Sequence, residues 1–223
     1  MTTDFKLKNI DSEDIGALFF KVEKSFGIEF SDNELINIKT FGELCDCITN
    51  KIDSESSEDC TTQQAFYKLR EAISSSLQIE NKTINPNLSL EQVLPKQNRR
   101  LLVRKIETSL GFKLNILKAS DTVTGIFLMI LILSIVEMFI DWRIGILGFV
   151  FSVCCLRISN RFGRELKVKT IGEVVKKMTR ENYLKSRRKE NTVNRKEIEK
   201  ILTEWFSDEF DLEKSELTRE AEF

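Results

Sequence analysis

Residues 21–30 read KVEKSFGIEF, and residues 105–114 read KIETSLGFKL. Lys, Glu, Ser and Gly coincide in these two segments, and every apolar position of one is apolar in the other. A second pair joins IKTFGELCDCI at 38–48 with VKTIGEVVKKM at 168–178, which share Lys, Thr, Gly and Glu. Internal similarity of this kind indicates a structural unit that occurs twice in the chain.

A third pair of segments keeps its apolar register although few of its residues are identical. It joins residues 69–90 with residues 202–223. The spacing predicts a helix followed by an ordered loop whose apolar side chains point inward. The coinciding apolar positions are Leu69/Leu202, Ile73/Phe206, Leu77/Phe210, Ile79/Leu212, Ile84/Leu217 and Leu90/Phe223.

The repeated segments also carry local helix signals. Thr40 with Glu43, and Thr170 with Glu173, have the spacing of a capping box, in which threonine and glutamate satisfy free N–H groups at a helix start. Scarce proline and glycine, 2 and 9 residues, argue against a turn-rich β-sandwich. The sequence therefore predicts an all-α chain built of small helical bundles.

The composition excludes several kinds of active site. The chain has no histidine, so it has no Ser-His-Asp or Cys-His nucleophile and no histidine metal ligand. It also has no glycine-rich phosphate loop and no predicted pair of carboxylates on one rigid face. The five cysteines follow no disulfide or zinc spacing, which indicates reduced, buried thiols. We therefore predict no enzyme, no catalytic residue and no metal site.

Two apolar runs indicate a transmembrane hairpin. Residues 122–140, TVTGIFLMILILSIVEMFI, contain one charge, Glu137, and are close to the roughly 20 residues that cross a bilayer. A second run at 144–156, IGILGFVFSVCCL, is shorter, and the turn Asp141-Trp142-Arg143 separates them. The alternative is a buried helical hairpin of a soluble protein, although such helices rarely lack a polar face.

The charge distribution sets the predicted orientation. Residues 1–60 hold 6 basic against 14 acidic side chains, net -8, whereas residues 157–200 hold 15 against 6, net +9. A basic block beside apolar spans favours the cytoplasmic side, so we predict two spans of the inner (cytoplasmic) membrane with both termini cytoplasmic. Anionic headgroups are the expected partner, and nucleic acid is not, because no aromatic residues interleave the basic run. The predicted membrane-surface residues are Arg157, Arg161, Arg164, Lys167, Arg187, Arg188 and Lys189.

Residues 11–48 resemble the second half of the acyl carrier protein family. Asp11-Ser12 falls at the family's Asp-Ser-Leu motif, and Phe26 and Phe30 fall at core positions. Residues 195–223 resemble the family's first helix and loop, which the N-terminal segment lacks. The resemblance implies a four-helix bundle, and it implies that Ser12 is the position that would carry 4′-phosphopantetheine.

The sequence also departs from this family. The motif here is Asp11-Ser12-Glu13, which puts a charge where an apolar residue normally packs under the prosthetic group. The corresponding stretch of the second copy, residues 94–97, has no serine. Asp11 and Ser12 therefore have two readings, a helix cap without a cofactor and a phosphopantetheine site.

The predicted organisation follows from these segments. Since each end of the chain lacks half of a bundle, we expect the two ends to complement each other, within one chain or by self-association of chains. The predicted parts are a half bundle at 1–52, an acidic linker at 53–62, the first part of a second carrier-like unit at 63–118, a transmembrane hairpin at 119–160, the last helix of the second unit at 161–182, a basic linker at 183–194, and the complementing helix and loop at 195–223.

Two functions remain open at this point. One is a non-enzymatic, membrane-anchored, acyl-carrier-like interaction or scaffold protein on the cytoplasmic face. The other is a working membrane-bound acyl carrier with 4′-phosphopantetheine on Ser12.

Overall fold

The computed structural model describes residues 12–31, 34, 37–52, 55–56, 58–189 and 192–222. These residues are mostly helical, which confirms the all-α prediction. The helices are α1 (Ser12–Phe26), α2 (Phe41–Lys51), α3 (Thr61–Leu77), α4 (Leu90–Val93), α5 (Arg99–Leu110), α6 (Asp121–Glu137), α7 (Trp142–Phe162), α8 (Ile171–Glu181), α9 (Tyr183–Ser186) and α10 (Arg195–Phe210).

Short strands join distant parts of the chain in two places. β1 (Glu55–Ser56) pairs in parallel with β4 (Thr192–Val193). β2 (Leu117–Lys118) pairs antiparallel with β3 (Glu165–Leu166). Each strand has two residues, so these pairs tie chain segments together and do not form a sheet layer.

The chain divides into two compact units. The first holds the described residues up to Ser75, residues 79–81 and the described residues from Val175 onward, and the second holds 76–78 and 82–174. Nearly all of α3 therefore lies in the first unit, whereas the sequence assigned residues from 63 onward to the second. Two hydrogen bonds between side chains and the backbone support this placement: Lys68 Nζ donates to Lys185 O at 2.6 Å, and the Arg188 N–H donates to Gln64 Oε1 at 2.9 Å.

The core of the first unit draws on both ends of the chain. The rings of Phe41 in α2 and Phe206 in α10 meet edge to face with centroids 5.3 Å apart. Trp205 and Phe26 are buried in the same cluster. The remaining buried members of this cluster are Leu18, Val22, Ile28, Leu44, Cys45, Ile48, Ile52, Tyr183, Val193, Ile198, Leu202, Leu212, Leu217 and Ala221.

Backbone hydrogen bonds fasten the C-terminal loop to the start of α2. The Phe41 N–H donates to Ala221 O at 2.8 Å, and the Gly42 N–H donates to Arg219 O at 2.9 Å. A Cβ on Gly42 would lie 2.7 Å from Arg219 O, so only glycine permits this approach. These bonds satisfy N–H groups that a helix start leaves free.

The second unit contains the same contact at the start of α8. The Ile171 N–H donates to Leu88 O at 3.1 Å, and the Gly172 N–H donates to Pro86 O at 2.8 Å. Gly172 again approaches closely, since its Cβ would lie 3.1 Å from Pro86 O. The sequence repeats therefore coincide with repeated backbone geometry.

The ends of α1 and α5 repeat each other as well. Gly27 and Gly111 both follow their helices with positive φ, 63° and 79°. In both copies a helix glutamate then accepts from a backbone N–H seven residues later. Glu23 Oε1 accepts from the Phe30 N–H at 2.7 Å, and Glu107 Oε1 accepts from the Leu114 N–H at 2.8 Å.

The first predicted capping box forms in full, and the second forms its threonine half. The Glu43 N–H donates to Thr40 Oγ1 at 3.2 Å, and the glutamate side chain accepts from the Thr40 N–H in return. In α8 the Glu173 N–H donates to Thr170 Oγ1 at 3.2 Å. These local interactions explain why the two helices begin at corresponding positions of the repeat.

The segment predicted as a basic linker at 183–194 is packed instead. Tyr183 and Val193 are fully buried in the core of the first unit, and β4 within this segment pairs with β1 of the predicted acidic linker. Burial of an aromatic ring and a β-branched side chain stabilises an ordered path, which outweighs the high charge of the surrounding residues.

The close approach at Gly42 yields a direct test. We expect Gly42→Ala to lower the free energy of unfolding of the first unit by about 1–3 kcal/mol, because the new methyl group displaces the C-terminal loop. Gly16→Ala is the matched control: it has open space around its Cβ and should be stabilising by about 0.5–1 kcal/mol. Denaturant titration followed by Trp205 fluorescence in a Trp142→Phe background measures both. Equal behaviour of the two variants would refute the loop contact.

Candidate membrane-anchoring hairpin

Helices α6 and α7 pack against each other through small residues. A Cβ on Gly145 would lie 2.6 Å from Met138 N, and one on Gly148 would overlap the Ser134 side chain. Ser134 and Ser152 are buried, and each hydroxyl donates to a carbonyl of its own helix, at 2.7 and 2.9 Å. Small residues and satisfied hydroxyls at a helix interface are typical of helix pairs in membranes.

Between its charged ends, the outer surface of the hairpin is predominantly apolar. Phe139 is 89% exposed and Leu147 is 72% exposed. Water is a poor solvent for such a surface, whereas the hydrocarbon core of a bilayer matches it. The other large apolar side chains exposed on the hairpin are Val123, Ile126, Leu128, Met129, Ile132, Leu133, Ile135, Val136, Met138, Ile140, Trp142, Ile144, Ile146, Phe149, Val150, Phe151, Ile158 and Phe162.

The helix bounds differ from the apolar runs of the sequence. α7 has 21 residues, because it includes Trp142 and Arg143 of the predicted turn and continues past residue 156 to Phe162. The Asp141 side chain caps it by accepting from the Arg143 N–H at 2.9 Å. Within the described part of the chain, α7 is the single helix both long and apolar enough to cross a membrane by length and composition. α6 has 17 residues.

A clamp joins the two ends of the hairpin. Leu117 and Lys118 pair with Leu166 and Glu165 across the β2–β3 ladder. Gly163 fits against this ladder, since its Cβ would lie 2.5 Å from the Ala119 nitrogen. The ladder therefore holds the start of α6 beside the end of α7, so that the two ends of the hairpin lie side by side.

Basic side chains surround this clamped end. Arg157 and Arg161 lie in the last turns of α7, and Arg164 and Lys167 follow it; all four are exposed. In the first unit, Arg188 and Lys189 are exposed too. These residues remain available for the predicted contact with anionic headgroups.

Unlike the other predicted membrane-surface residues, Arg187 is buried, so its predicted place at the membrane surface is wrong. Its side chain is 0% exposed. The guanidinium donates from Nε to Thr192 Oγ1 at 3.1 Å, and from Nη1 to Asp59 O at 3.3 Å and to Thr61 Oγ1. A planar group with five donors can join residues 59–61 to Thr192 in this way, whereas a lipid headgroup cannot reach it.

The candidate prosthetic-group position lies at the edge of the described residues. Asp11 falls outside them, and α1 begins at Ser12. On the same helix, Lys21 forms an ion pair with Glu209 of α10. That lysine is therefore engaged within the chain.

The sequence interpretation missed a basic cluster on and after α5. Arg100 and Arg104 are spaced four residues apart and therefore share one helix face, and Lys113 follows α5. The i, i+4 spacing was a usable signal. What the sequence did not show is that Arg161, 57 positions after Arg104, lines the same cavity as these side chains.

The thiols and carboxylates of the described residues do not cluster as metal ligands would. No group of three or more Cys, Asp or Glu side chains there could hold a metal ion. Burial raises the pKa of the Cys45 thiol to about 12, so this side chain stays protonated at neutral pH and is not a nucleophile.

The buried guanidinium predicts a large effect of substitution. We expect Arg187→Met to lower the free energy of unfolding of the first unit by about 2–4 kcal/mol, because buried acceptors lose a charged donor. Arg187→Lys should rescue little, since an ammonium cannot reach all three acceptors. Arg188→Met, at an exposed neighbour, is the control and should stay within about 0.5 kcal/mol of the parent. Comparable effects at 187 and 188 in denaturant titrations would contradict the buried role.

Comparison with known proteins gives no relative from which a role could be carried over. No protein-family model matches the chain, and no curated protein and no solved structure matches it significantly. The interpretation of the hairpin therefore depends on its own geometry.

Proposed function

We propose that this chain is a non-enzymatic, membrane-anchored scaffold protein that holds carrier-like helical bundles on the cytoplasmic face of the inner membrane. The observation that carries the proposal is the hairpin, with polar groups between its helices and large apolar side chains outside. Its partners in this view are the bilayer and proteins that bind the helical bundles.

Energetics favour a bilayer as the environment of the hairpin. Full burial of one large apolar side chain gains roughly 1.5–3 kcal/mol. Phe139, Ile140 and Leu147 are among many such side chains left exposed by the fold. The gain from covering them together would exceed the roughly 5–15 kcal/mol that stabilises a typical domain, which supports a bilayer as their environment.

The length of α7 supports one span, and a second span would need α6 together with the apolar residues that follow it. At about 1.5 Å per residue, α7 covers about 32 Å and α6 about 26 Å, against a hydrocarbon core of about 30 Å. The apolar residues 138–140 directly after α6 add length at the far end. Since both hairpin ends meet at the β2–β3 ladder, the exposed arginines there favour the cytoplasmic side for both flanks.

The carrier-like part supports a scaffold more than a working carrier. The motif at Ser12 is followed by Glu13, and Lys21 is held by Glu209. The second unit repeats the backbone contacts of the first yet has Lys96, not serine, at the corresponding place. A second helical unit without the serine cannot serve as a carrier, so binding of other helices is the role that both units could share.

Topology can be tested with native and introduced cysteines. We expect a membrane-impermeant maleimide to label Ile140→Cys in intact spheroplasts, because residue 140 lies in the exposed hairpin turn. Cys60, which is exposed in the first unit, should react only after lysis. In each labelling experiment every cysteine other than the one to be labelled is replaced by alanine. Labelling of Cys60 from outside would reverse the topology, and an inaccessible residue 140 before lysis would refute two spans.

The carrier alternative has a separate test. Full-length protein is co-expressed with a phosphopantetheinyl transferase and its intact mass is measured, with Ser12→Ala as the control. The scaffold proposal expects identical modification states for both proteins. A gain of one phosphopantetheine group that disappears in Ser12→Ala would establish the carrier function instead.

A further inference from the structure

We propose that the second unit contains a specific binding site for the phosphate of an anionic phospholipid, located at the clamped end of the hairpin. This proposal rests on the proposed membrane anchoring and adds a defined ligand class and site to it. The site is a cavity of about 710 Å³ between α5, the segment after it and the last turn of α7.

Cations predominate among the charged residues that line the cavity. Arg100, Arg104, Lys113 and Arg161 contribute positive charge, and Glu107 is the one acid among the lining residues. The Glu107 carboxylate accepts the Leu114 N–H at 2.8 Å and so is already engaged by the backbone. The excess of guanidinium and ammonium donors suits a phosphate, which arginine binds in bidentate geometry.

Part of this lining is held in place before any ligand arrives. The Arg100 guanidinium lies over the Phe162 ring, 4.7 Å from its centroid, and donates to Arg161 O at 3.4 Å. Gly111, with φ of 79°, turns the chain back after α5 and brings Lys113 to the cavity. Positioned donors lose less side-chain entropy on binding than free surface lysines do.

The location favours a lipid over a soluble phosphate compound. Asn160 and Arg161 of the cavity belong to the last turn of α7, and the neighbouring Phe162 is an exposed aromatic residue. Aromatic residues at the end of a spanning helix lie at headgroup level. Basic pockets at this depth are where anionic headgroups are held, with the acyl chains extending along the helices.

The test uses the full chain in neutral detergent micelles and isothermal titration calorimetry. The probes are dihexanoyl phosphatidylglycerol, dihexanoyl phosphatidylcholine and sn-glycerol 3-phosphate. We expect saturable binding of the phosphatidylglycerol at one site, and at least about tenfold weaker binding of each of the other two. Equal binding of glycerol phosphate would overturn the lipid assignment, and no saturable binding of any probe would overturn the site.

Matched variants separate the cavity from general surface charge. Arg104→Gln/Lys113→Gln should weaken phosphatidylglycerol binding at least about tenfold, whereas the charge-preserving Arg104→Lys/Lys113→Arg should retain most of it. Lys105→Gln/Lys169→Gln removes the same charge from two exposed positions of the second unit outside the cavity lining, and should change affinity less than about twofold. Equal losses in both neutralised variants would show diffuse attraction and refute the site.

Failure of this inference is distinguishable from failure of membrane anchoring. Alkaline extraction of cell membranes reports whether the parent protein is integral. A protein that resists extraction but does not discriminate the two lipids would refute the binding site and leave the anchor intact. A protein released by alkali would refute the anchor, whatever the calorimetry shows.

Discussion

The approach of a backbone carbonyl to a glycine at a helix start is the contact on which both units depend. At Gly42 it attaches the C-terminal loop, and with it α10, to the N-terminal helices. Without that attachment α1 and α2 expose the apolar faces that Trp205 and Phe206 cover. The gain from burying these faces is what offsets the ordering entropy of two chain ends far apart in sequence.

The same contact at Gly172 explains why the two copies of the repeat share only a few identical residues. Glycine gives room where a carbonyl approaches, threonine and glutamate form the cap, and glycine favours the positive φ at Gly27 and Gly111. Core positions only need an apolar side chain of suitable size. Thus Phe41 and Ile171 differ in shape but occupy corresponding places.

These local requirements could be predicted from the sequence, and so could the helical class and the position of the hairpin. Contacts without a local signature could not. Arg187 lies in a basic run in which Arg188 and Lys189 are exposed, and it is distinguished by its bonds to the hydroxyls of Thr61, which is buried, and Thr192. The cavity on α5 was missed for the same reason, since Arg161 joins it through the tertiary fold.

The short strand pairs explain how one bundle can contain another segment without losing its own core. β1 and β4 bring the chain together on either side of residues 57–191, and β2 and β3 do the same on either side of residues 119–164. An insertion whose ends lie side by side leaves the host fold intact. By this principle the hairpin can be inserted into the second unit. Because the ends of the hairpin lie side by side at the β2–β3 ladder, its apolar surface need not interrupt the rest of the second unit.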